Sequence, residues 1–167
     1  MVLDITLAPL ALETKTFNAG ETVRVTVSFR YRVGVNTTLK LQASPYYTNF
    51  FGKNLVESCK GQTDILLEAT STEVEKMVDV DMLLVAKSLG GIENGTYGLV
   101  VWLRPQDSTN DPWVLPGPIA RVEQENVLIV SGNSSGGFTD TLSSMMPMLM
   151  MVMMLGMIGP MLSGGSE

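Results

Sequence analysis

From Val23 to Val33 the chain reads VRVTVSFRYRV, and it alternates without a break. One face carries Val23, Val25, Val27, Phe29, Tyr31 and Val33; the other carries Arg24, Thr26, Ser28, Arg30 and Arg32. A helix would place apolar side chains three and four residues apart, so a strict period of two over this length is a strand with one face in a core.

The same pattern recurs on both sides. Upstream, Val2 to Ala8 sets Leu3, Ile5 and Leu7 against Asp4 and Thr6, and Pro9 ends it. Downstream, Leu39, Leu41 and Ala43 alternate with Lys40, Gln42 and Ser44, and Pro45 reads as a stop. A longer loop is expected next, holding Tyr46, Tyr47, Phe50, Phe51, Gly52 and Cys59. Asp64 to Thr70 has β character, and Val78, Val80 and Met82 alternate with Asp79 and Asp81. Thr96 to Leu103, TYGLVVWL, is almost wholly apolar and reads as a central strand buried on both faces. A Pro- and Asp-rich loop runs from Arg104 to Pro118, and Val122 to Val130 supplies the last strand. Gly90-Gly91 and Asn94-Gly95 punctuate the chain between strands.

Seven to eight strands separated by turn residues predict an all-β, antiparallel sandwich over residues 1–130. The pattern resembles immunoglobulin-like adhesion and cell-surface modules, on the early AGETVRVTVSF strand and the late ENGTYGLVVWL strand. The resemblance implies a corner hydrogen bond from Tyr97, the tyrosine that opens the late strand. It does not imply the antibody disulfide, because Cys59 is the only cysteine.

The end of the chain is different. Ser131 to Gly137, SGNSSGG, reads as a linker of about 14 Å root-mean-square span, extended to residue 140. Residues 141–163 are expected to form one C-terminal apolar helix, followed by a polar tail at 164–167. No charge occurs between Asp140 and Glu167, and nine of the twelve methionines fall between Met145 and Leu162. The side chains of that helix are Met145, Met146, Met148, Leu149, Met150, Met151, Val152, Met153, Met154, Leu155, Met157, Ile158, Met161 and Leu162. Eighteen residues at helical rise span about 27 Å, close to the ~30 Å of a hydrocarbon core. Three readings stay open for it: a membrane span, a helix packed in an oligomer or virion assembly, and a Cu(I) site built from thioethers. The methionines are interleaved with Leu, Val and Ile, which favours apolar packing over metal.

Composition narrows the function. A net charge of −6 argues against nucleic acid, whose phosphates need clustered Lys and Arg. There is no histidine, so the commonest general base and metal ligand are missing. Cys59 has no partner for a disulfide and no visible activating base. The N-terminal MVLDITLAPLALETKTF reaches Asp4 without a basic region and does not read as a secretory signal; insertion by the C-terminus is expected instead.

Several polar groups invite a site. Asp79 and Asp81, with Glu73 and Glu75, suggest calcium but read more simply as a solvated strand face. Asp107, Asn110 and Asp111 read as a polar turn. Arg24, Arg30 and Arg32 read as a sheet face or as contacts for carboxylates of a neighbouring copy. Asn36, Asn94 and Asn133 each open a glycosylation sequon. Tyr46, Tyr47, Phe50, Phe51 and Trp113 are candidate interface residues, with a flap over the core as the alternative.

The chain is therefore expected to be a non-enzymatic structural protein without cofactor or small-molecule substrate. Its expected partners are other copies of itself, other subunits of an assembly, and a lipid membrane. It is expected in a virion (capsid or virion membrane) or tail-anchored at a membrane with the β domain outside; a cell-envelope adhesion module is the alternative.

Overall fold

The alternation around Val25 becomes strand β3 (Thr22–Val33), buried at every second residue from Val23 to Val33. In this computed structural model, which describes residues 3–108, 111–114 and 117–133, β3 is the centre of a three-stranded sheet. β1 (Leu3–Leu7) and β7 (Val74–Leu83) flank it, both antiparallel. The second sheet has six strands. β2 (Lys15–Asn18), β9 (Ala120–Ser131), β8 (Gly95–Pro105) and β4 (Thr37–Asn49) lie side by side in that order. Along the remaining edge of β4, β6 (Gly61–Leu67) pairs with Thr37 to Ala43 and β5 (Gly52–Leu55) pairs with Tyr46 to Asn49. With β3 between β1 and β7, and β8 between β9 and β4, the strand order is that of an immunoglobulin-like sandwich.

The core fills the space between the sheets. Val25, Val27 and Phe29 of β3 with Val80 and Met82 of β7 face Leu39 and Leu41 of β4 and Leu99, Val101 and Leu103 of β8. Cys59 sits in this core as a free buried thiol. Tyr97 donates from its hydroxyl to the Glu93 carbonyl at 3.0 Å, the corner bond that the resemblance implied. At the open edge the sheets close up: a Cβ on Gly61 of β6 would overlap the carbonyl of Asp81 on β7.

The outer face of β3 is polar because its partners answer it across the ladder. Arg24 binds both carboxylate oxygens of Asp81 at 2.8 and 3.0 Å, and Thr26 donates to Asp79 at 2.6 Å. Arg30 lies 3.6 Å from Glu73, and Arg32 lies 3.7 Å from Asp4. The arginine face is thus paired within the chain, with Asp81 bound to Arg24 and Asp79 to Thr26.

The structure corrects the sequence reading in four places. Pro45 does not end β4, which continues to Asn49. The Pro45 carbonyl accepts from Val56, and the N and C=O of one strand residue point to the same edge. Its missing N–H therefore falls in the gap where β6 has ended and β5 has not begun, and no ladder bond is lost. Second, the expected loop after Pro45 is a hairpin, with β5 and a short 3-10 turn at Glu57–Cys59. Third, there are nine strands among the described residues, and β2 runs parallel to β9. β2 and β5 are four residues each, too short to show a period. Fourth, the expected linker does not begin at Ser131. That residue ends β9, and Asn133 is buried, with its amide donating to the Ile92 carbonyl at 2.8 Å and its Oδ1 accepting from the Lys87 amide at 2.9 Å. The bonded Asn133 amide is also closed to glycosylation in this fold. The Met-rich segment at 141–163 and the tail at 164–167 lie outside the described residues.

Candidate functional site

β4 runs past the end of the ladder it shares with β6 and turns back as β5, so the β4–β5 hairpin projects from one end of the sandwich. Asn49 pairs with Gly52, leaving Phe50 and Phe51 as the turn residues. Gly52 supplies the positive φ, +121°, that the reversal needs. Asn49 Oδ1 accepts from the Phe51 amide at 2.9 Å, so a side chain at the tip holds the turn. The two rings stand edge to face with centroids 5.5 Å apart. They are 97 % and 91 % exposed. The fold holds an aromatic pair in water.

Tyr47, at the base of the hairpin and 44 % exposed, separates two hollows. The larger, about 740 Å³, lies between the hairpin and the loop before β8, lined by Leu55, Glu57, Ile92, Glu93 and Tyr97. The smaller, about 300 Å³, lies between the hairpin and the loop after β8, lined by Lys53, Asp111, Trp113 and Val114.

Trp113 and Tyr46 belong to a different structure. Successive strand residues face opposite sides, so Tyr46, Val100 and Trp102 sit on the outer face of the larger sheet, where they form a second small core. The Tyr46 ring lies over Gly98 of the neighbouring strand, and any Cβ there would strike it. Trp113 folds back from the loop after β8 and meets Tyr46 edge-on at 5.4 Å. Its indole N–H donates to Glu123 at 3.1 Å, and Lys53 forms an ion pair with the same carboxylate. Arg121 ties the loop down by donating to the Pro112 carbonyl at 2.6 Å. This lid explains why β8 is buried on both faces from Tyr97 to Leu103.

Burial alone would raise the Glu123 carboxyl, but the hydrogen bonds from Lys53 and Trp113 and the charges of Lys53 and Arg121 outweigh it and hold it low. Asp111 moves the other way, pushed up by burial and by Glu57. Burial, reinforced by Glu123 and Glu125, raises the Tyr46 phenol to about 12. A depressed carboxyl contributes stability that is full above its ordinary value of 4.5 and is lost as pH falls through the folded value. Acidification below pH 4.5 is therefore expected to loosen the lid, read as a shift in tryptophan emission. In Glu123→Gln that acid step disappears, and the emission is already shifted at neutral pH.

Of the five candidate interface residues, the structure leaves Phe50 and Phe51 free, Tyr47 half free, and builds Tyr46 and Trp113 into the lid. Asp111 turns toward Glu57, and Asn110 lies outside the described residues. Sequence reasoning missed Asn49, Lys53 and Glu123; only the short Asn-Phe-Phe-Gly signature, a turn-forming Asn before a positive-φ Gly, pointed to the first. Among the described residues no cluster of three or more Cys, Asp or Glu is arranged to hold a metal ion, and no helix is long and apolar enough to cross a membrane.

No family profile and no curated protein matches the sequence. Among solved structures the chain is similar to the CARDB domain of a Pyrococcus furiosus protein in complex with di-metal ions, at 8 % identity over 78 % of this chain and 94 % of that one, with a TM-score of 0.39. It is also similar to the ASH/PapD-like domain of human CEP192, at 14 % identity over 77 % and 84 % of the two chains, with a TM-score of 0.35.

Proposed function

We propose that this chain is a non-enzymatic structural module, tethered or assembled through Met145–Leu162 and presenting the hairpin end of its sandwich to an apolar partner. The observation that carries this reading is the exposed pair Phe50 and Phe51, fixed in place by Asn49 and Gly52. Burying one phenylalanine is worth about 1.5–3 kcal/mol, so two rings held in water forgo roughly 3–6 kcal/mol that a partner recovers. Because the turn is preformed, little ordering cost is left for the encounter. The lid supports the same reading from the other side, since the chain does bury its remaining outer-face aromatics.

In its most specific form the module is a component of a virion, either capsid or virion membrane. A tail-anchored adhesion module of a cell envelope is the second form, favoured by the hollow of about 740 Å³ beside the hairpin. Sedimentation of the full chain without detergent, followed by flotation with liposomes, tests the proposal. A discrete oligomer or a floating protein supports it, and a monomer that does neither overturns it. The double variant Phe50→Ser/Phe51→Ser is expected to weaken the association made at the tip by about 100-fold or more. Its stability should stay within about 0.5 kcal/mol of the parent, because both rings are already in water.

A further inference from the structure

The hairpin tip and Asn133, the last described residue, are at the same end of the sandwich. β9 and β4 both run antiparallel to β8, so both finish where β8 begins. Continued from the Tyr46–Gly98 pair, the β4 ladder brings Asn49 level with Gly95. Beyond β9, Asn133 is fastened to the same level: its backbone amide donates to Asn94 Oδ1 at 3.0 Å and its side chain binds Ile92. Ile92 in turn lines the hollow whose opposite wall is Tyr47 and Leu55 of the hairpin.

Chain length limits where the apolar segment can begin. Eight steps separate Asn133 from Thr141, at most roughly 29 Å fully extended. β3 alone, with twelve residues, is about 40 Å long. That reach falls short of the strand length, so the uncharged run from Thr141 to Ser166 cannot begin at the far end of the sandwich.

We propose, resting on the anchored reading above, that the occupant of the tip is the lipid bilayer entered by Met145–Leu162, so that Phe50 and Phe51 insert into its interface as a second point of attachment. Thr48 to Gly52 carry no charge, and the two rings project from a turn instead of forming part of a flat face with a polar rim. The chemistry is that of shallow aromatic insertion, about 5–10 Å into the headgroup and acyl boundary. Charge plays little part. Lys53 pairs with Glu123, Lys60 with Glu57 and Lys87 with Glu93, which leaves no cationic surplus for anionic headgroups.

The test uses the full chain carrying Phe51→Trp, mixed with phosphatidylcholine vesicles, with the parent chain as the reference for Trp102 and Trp113. Insertion predicts a blue shift of the added emission, quenching by lipids brominated near the headgroup, and shielding from iodide. Adding phosphatidylserine or salt should not change the outcome. If the chain floats while the residue at position 51 remains open to iodide, the tail holds the membrane alone and the inference falls, although the anchored reading stands. If position 51 is shielded from iodide but brominated lipid does not quench it, a protein covers the tip and the inference also falls. A chain that neither floats nor oligomerises removes both.

Discussion

Gly61→Ala is expected to destabilise the sandwich by about 2–3 kcal/mol, although the same substitution on an open strand would help. Two effects compete. Alanine restricts the unfolded chain, which is worth about 0.4–1 kcal/mol toward folding wherever the native backbone tolerates it. Gly61 lacks a positive φ, so backbone strain does not enter. Space decides instead. A Cβ there would lie 2.9 Å from Met82 Cγ and would overlap the Asp81 carbonyl, which is backbone and cannot rotate away. β6 must then move off β7, opening the edge where the two sheets meet. Thermal unfolding should show a fall of roughly 10 °C. Gly117→Ala is the control: no described atom lies within 4 Å of its Cβ, so it should be neutral or slightly stabilising. Equal behaviour of the two variants would refute the close approach of β6 to β7.

Trp113→Ala is expected to cost about 2 kcal/mol and to open the lid without unfolding the sandwich. The substitution removes the edge-on contact with Tyr46 and the indole bond to Glu123. The carboxylate keeps Lys53 nearby, so no charge is stranded. The main core lies on the other side of the sheet and keeps its contacts. The variant also leaves Trp102 as the only tryptophan, and that residue is 1 % exposed in the parent. Iodide should therefore begin to quench an emission that it could not previously reach, well before the denaturation midpoint. A protected Trp102 emission would mean that Trp113 is not what covers this face.

How much of this was legible in the sequence follows from the distance over which each signal acts. Val23 to Val33 declares itself because alternation is written in consecutive residues and one whole face is buried. TYGLVVWL likewise reads as doubly buried, but what covers its second face comes from Tyr46, Trp113 and Glu123, which are far apart in the chain. Trp113 between prolines looks the same in composition whether it docks or projects; its distant partner Glu123 decides. Pro45 misled because the usual cost of proline in a strand depends on which edge loses a donor, and only the placement of β5 and β6 shows that edge to be empty. SGN at Ser131–Asn133 has the composition of a linker, yet Asn133 is held by Lys87 and Ile92 across the fold. Phe50 and Phe51 were visible as an aromatic pair near a glycine. That they stand free while Tyr46, four residues earlier, is covered needed the pleat and the hairpin register.

The parallel pairing of β2 with β9 has a mechanical consequence. β9 is the last strand among the described residues, and it is gripped on both edges, by β2 from Lys15 to Asn18 and by β8 from Gly95 to Leu103. Tension arriving from beyond residue 133 first loads the Asn133 side chain, then pulls β9 along its own axis. Both ladders resist that pull in shear, many bonds sharing the load, whereas a strand peeled from its end would yield one bond at a time. A pull along β9 from residue 133 would therefore meet more resistance than one that peeled an edge strand.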